Sequence, residues 1–70
     1  MESTIRRYRL PIEAIAYVRM VLEAYDGLAV MVSPEAGRGI VEWWVGPGQE
    51  DEADALARAL AIEVGLTRVG

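Results

Sequence analysis

The sequence predicts an α+β fold of the ferredoxin-like type, β-α-β-β-α-β, with a four-stranded antiparallel sheet in the order 4-1-3-2 and two helices on one face of it. Three observations lead there. Two segments carry apolar residues at helical spacing, four shorter ones are rich in β-formers, and a glycine follows each helical segment. With 70 residues, the chain is expected to form a single ferredoxin-like domain over residues 1–70.

Ser3 to Leu10 reads as the first strand, because its alternation places Thr4, Arg6, Tyr8 and Leu10 on one side and Ile5, Arg7 and Arg9 on the other. Pro11 suits a first helical position, and the segment from there to Tyr25 lines up Ile15, Val18 and Leu22 as one apolar stripe. Gly27 is the expected left-handed stop. Leu28 to Val32 forms the second strand, Ser33 to Gly39 a hairpin loop containing Pro34, and Ile40 to Val45 the third strand. Gly46-Pro47-Gly48 ends that strand, and Glu50, Asp51, Glu52 and Asp54 then place negative charge at a helix N-terminus, where the dipole favours it. The second helix runs to about Val64 on a stripe of Ala53, Leu56, Leu60 and Val64. On its exposed side Asp54 stands four residues before Arg58, Gly65 caps it, and Leu66 to Val69 supplies the fourth strand.

Composition narrows the chemistry. The chain is 53% hydrophobic and 26% charged, too apolar for a disordered segment. Seven arginines against eleven acids give a net charge of −4, which disfavours nucleic-acid backbones and anionic membrane surfaces, so neither partner is expected. Cysteine, histidine and lysine are all absent. That removes disulfides, thiolate and imidazole catalysis, Schiff bases and the usual transition-metal ligands, so no metal and no cofactor are expected. No apolar run approaches the roughly 18 residues that span a bilayer, and Met1 to Arg7 lacks a signal-peptide core. A cytoplasmic location is expected. The absence of Asn, with Gln49 the single Gln, suits a thermophile, whereas arginine without lysine departs from the hyperthermophile trend.

Ile15-Ala16-Tyr17, Leu22-Glu23-Ala24-Tyr25-Asp26-Gly27-Leu28-Ala29, Gly39-Ile40-Val41, and Pro47-Gly48 before an acidic helix together resemble a family of small bacterial proteins known as a domain of unknown function. The resemblance runs from about Tyr8 to Leu66, and Glu-Ala-Tyr-Asp-Gly is its most specific stretch. It implies a compact bacterial domain and no catalytic residues. Ferredoxin-like domains with known roles can be compared by motif. Metallochaperones need Cys-x-x-Cys in the first loop, which here reads Leu10-Pro11-Ile12-Glu13. ACT domains usually place glycine at that turn, where Pro11 stands. RNA-recognition motifs share Arg38-Gly39 at the head of the third strand, but Ile40-Val41-Glu42-Trp43-Trp44-Val45 departs from the rest of their pattern.

Trp43 and Trp44 are adjacent on a strand and must point to opposite faces. If Val41, Trp43 and Val45 face the helices, the open face receives Ile40, Glu42 and Trp44 with Ile5, Arg7, Arg9, Ala29 and Met31; the opposite register exchanges the two tryptophans. So apolar a surface calls for a cover. Self-association through Ile5, Met31, Ile40 and Trp44, as a homodimer or higher homo-oligomer, is the expected one. Arg7, Arg9 and Glu42 form the candidate ligand site, able to grip a small anion; in the structural alternative Glu42 pairs with Arg7 or Arg9 across strands and arginine stacks on Trp44. Tyr17 and Tyr25 are assigned to packing and Asp26 to the helix end, and no catalytic residue is assigned, although Glu42 and Glu63 lie in apolar stretches. The expected function is therefore a non-enzymatic self-associating module. An ACT-like regulatory module binding a small anionic metabolite near an oligomer interface is the alternative.

Overall fold

The computed structural model describes residues 4–69. Strand β1 (Thr4–Arg9) leads through a 3₁₀ turn (Ile12–Ala14) into helix α1 (Ile15–Glu23), followed by β2 (Ala29–Glu35), a second 3₁₀ turn (Ala36–Arg38), β3 (Ile40–Val45), α2 (Glu50–Val64) and the two-residue β4 (Thr67–Arg68). The sheet order is β2-β3-β1-β4 with every neighbour antiparallel. This is the ferredoxin-like layout that the element order predicts. The predicted start of the first strand at Ser3 lies outside the described residues.

One apolar cluster joins the helices to a single sheet face. Ile15, Val18 and Leu22 of α1 and Ala53, Leu56 and Leu60 of α2 meet Tyr8, Met31, Val41, Trp43 and Val45 of the strands. Trp43 is fully buried and Trp44 is 43% exposed, so the tryptophan facing the core is Trp43. Its ring meets that of Tyr8 at a centroid distance of 4.7 Å, tilted by 54°.

Two boundaries and one ion pair differ from the sequence reading. Helix α1 starts at Ile15 rather than Pro11, because Pro11 itself is extended, with ψ of 138°, and the 3₁₀ turn intervenes. Strand β2 continues to Glu35 through a bulge: Val32 pairs with Glu42 but Glu35 with Ile40, so β2 advances one residue more than β3. Pro34 is tolerated there because β2 is an edge strand and a missing N–H costs no ladder bond. Asp54 is bonded not by Arg58 but by Arg6 of β1, whose side chain is only 11% exposed.

Candidate functional site

The sheet face away from the helices is organised in rows set by strand register, since residues directly opposite in antiparallel strands share a face. Ile5, Trp44 and Val30 form the first row, at 54%, 43% and 66% exposure. Arg7, Glu42 and Val32 form the second, and Arg9, Ile40 and Glu35 the third. The face is thus apolar at one end and charged at the other.

Two of the residues expected on the open face, Met31 of the self-association set and Ala29, sit elsewhere. Met31 pairs with Trp43 and is buried in the core, and half-buried Ala29 packs against the same core. Val30 and Val32 take their places on the open face. The reason is phase: Leu28 to Val32 is apolar throughout, so it carries no polar residue to mark which side faces out. The signal that fixes it is the partner strand, because once Trp43 turns inward its opposite number Met31 must follow. Ile40 does lie on the open side, but it is only 8% exposed, covered within a groove of about 280 Å³ lined by Arg7, Arg9, Glu35, Arg38 and Val69. Ile5 and Trp44 are exposed as expected.

The three residues of the candidate ligand site separate into a bonded pair and one other. Arg7 Nη2 donates to Glu42 Oε2 at 2.8 Å, and Trp44 Nε1 donates to Glu42 Oε1 at 3.2 Å. Both carboxylate oxygens are engaged, and these hydrogen bonds, that from Arg7 first, hold the carboxyl below its ordinary range. Glu42 is therefore an ionised anchor that fixes the Trp44 indole from one side and is bound by Arg7 from the other. Arg9 has no carboxylate within 4.0 Å among the described residues, while Arg38 reaches Glu35 at 3.4 Å. Tyr17 donates to Glu63 Oε1 at 2.7 Å, tying α1 to α2, and this bond is the main cause of its raised phenol pKa. Among the described residues, no group of three His, Cys, Asp or Glu side chains converges as a metal site would require, and no helix is long and apolar enough to cross a membrane.

The model of a domain of unknown function, DUF4911, matches residues 8–64. The chain belongs to that family. The DUF4911 match takes in Arg9, Val30, Val32, Ile40, Glu42 and Trp44, whereas Ile5 and Arg7 precede it. It also contains Glu23 to Gly27, which here forms the end of α1 and the turn into β2, with Gly27 at φ of 73°. No curated protein and no solved structure matches the chain.

The Glu42 contacts make stability depend on pH. A carboxyl whose folded pKa is depressed contributes stability above its unfolded pKa, about 4.3 for Glu, and that contribution is lost as pH falls through the folded value. Glu42→Gln should therefore lower the urea midpoint at pH 7 and lose that difference progressively as the pH falls below the ordinary Glu range. Urea titrations of both proteins from neutral pH down past that range measure it; a gap that stays constant would show that the ion pair does not govern the effect.

Proposed function

We propose that this DUF4911 protein is a self-associating interaction module that pairs with a second copy of itself through the open sheet face. The carrying observation is the row of Ile5, Trp44 and Val30, three exposed apolar side chains in register across three strands, with Val32 beside them. A monomer in water gains nothing by displaying them together.

Charge supports a second copy as the occupant. The molecule carries −4, yet Arg7 and Glu42 neutralise each other on this face. A two-fold axis laid along the apolar row would set Trp44 on its counterpart and reverse the strand direction between the copies. Glu42, bonded by Arg7 and Trp44 within its own copy, enters such an interface with its charge already matched, which limits the desolvation penalty. Burial of an exposed indole at the centre of such a contact is the usual source of an interface's strongest energies.

Sedimentation equilibrium over a wide concentration range tests this. The natural protein should exceed the monomer mass of 7.7 kDa, and Trp44→Glu should sediment as a monomer while retaining its circular dichroism spectrum. An assembly unchanged by Trp44→Glu, or a natural protein that stays monomeric at the highest concentrations, would overturn the reading.

A second reading is supported by the groove over Ile40. With Arg7 engaged by Glu42 and Arg38 by Glu35, Arg9 is the guanidinium group left there to meet a small anion.

A further inference from the structure

The helix side of the sheet holds a separate groove of about 300 Å³ between α2 and β4. Its apolar lining is made by Ala57 and Ala61, whose small side chains leave the space open, together with Leu66. Arg58 and Arg68 stand at its edge, and among the described residues neither has a carboxylate within 4.0 Å. Arg58 is left in this state because its helical neighbour Asp54, which also borders the groove, is bonded by Arg6 instead.

Tyr8 completes the lining. It is 2% exposed, it lines this groove, and its hydroxyl makes no hydrogen bond to a described side chain. Two cations without counter-charges and one unused phenol therefore border a single concave, mostly apolar space, and such convergence of a few polar groups in an apolar cleft marks a small-molecule site.

The geometry points to a binding site for a small organic carboxylate, its head held between Arg58 and Arg68 within reach of the Tyr8 hydroxyl and its short apolar body laid over Ala57, Ala61 and Leu66. Guanidinium groups match a carboxylate fork geometrically. A monoanion suits the place better than a phosphate dianion, because Asp54 borders the groove and the whole molecule is negative. The site lies across the sheet from Trp44, so it stands or falls independently of self-association.

Hexanoate is the probe, followed by amide NMR shifts, with hexanol as the uncharged control and inorganic phosphate as the control without an apolar body. Hexanoate should shift the amides of Ala57, Ala61, Leu66 and Arg68 saturably, and both controls should bind at least tenfold more weakly. The double variant Arg58→Ala/Arg68→Ala should lose at least tenfold in affinity, Tyr8→Phe should lose a few-fold, and Arg19→Ala, which removes one positive charge far from the groove, should bind like the natural protein. Equal binding of hexanol, an unaffected double variant, or shifts centred on Arg9, Ile40 and Val69 would each overturn the assignment. Because Arg58 and Arg68 are exposed, an unchanged spectrum of the unliganded double variant separates loss of binding from loss of fold.

Discussion

Trp43→Ala should leave no cooperatively folded protein at 25 °C. The side chain is fully buried, meets Tyr8 ring to ring, and sits opposite Arg6 on β1 and Met31 on β2, so its removal opens a cavity at the centre of the sheet. Truncating a buried tryptophan costs about 3–5 kcal/mol. A single core in a domain below roughly 70 to 80 residues seldom supplies more than about 3–5 kcal/mol in total, so the loss consumes essentially all of the stability. The indole N–H of Trp43 has no hydrogen-bond partner, so Trp43→Phe, which removes that orphaned donor with part of the ring volume, should stay folded. Trp44→Ala, at a half-exposed position, should also stay folded. Urea titrations followed by far-UV circular dichroism check all three; a cooperative transition for Trp43→Ala near the natural midpoint would mean that the core is not centred on this residue.

The contrast between the adjacent tryptophans shows where the sequence is legible and where it stops. Both helix stripes, the glycine stops at Gly27 and Gly65 and the strand count can be read from spacing and turn residues, because each is a local periodicity or a local conformational need, and the strand order follows from the element order through right-handed crossovers. The face of β2 cannot. Leu28 to Val32 has no polar phase of its own, so only its register with Trp43 puts Met31 inside and Val30 and Val32 outside. Asp54 illustrates the same limit in charge pairing. Its helical neighbour Arg58 offers an interaction of about 0.2–0.5 kcal/mol, whereas the poorly exposed Arg6, 48 residues away in sequence, would leave a costly unpaired charge without it. Long-range need outweighs the local pair, and the groove between α2 and β4 inherits an unpaired Arg58 that no spacing rule anticipates. On the open face, by contrast, the pairing of Glu42 with an arginine of the first strand is legible, because antiparallel neighbours in a ladder place those side chains together.

Gly39→Ala should be the most damaging of the conservative loop substitutions. Gly39 closes the turn between β2 and β3 in the left-handed region, at φ of 72°, and a Cβ built on it runs into the backbone carbonyl of Leu10. The conformation alone costs an L-residue about 1–2 kcal/mol. The collision adds to this because its other party is main chain, which cannot swing aside as a side-chain tip can. Relief requires parting the Leu10 N–H from the Gly39 carbonyl, now at 2.9 Å, and a hydrogen bond lost from a buried position costs about 1–3 kcal/mol more. Together these approach the whole stability of a domain this size. Movement at Gly39 also displaces the start of β3, and with it Ile40 and the register that carries Glu42 and Trp44 onto the open face. Gly37 supplies the control two residues earlier in the same turn: nothing lies within 4 Å of its added Cβ, and its φ is not in the left-handed region, so Gly37→Ala should be neutral or stabilise by up to about 1 kcal/mol. Thermal melts of the two variants side by side decide the matter. Gly39→Ala should melt at least about 10 °C below Gly37→Ala, taking roughly 4–8 °C per kcal/mol for a domain of this length, and similar melting of the two would mean that the approach to Leu10 does not constrain the turn.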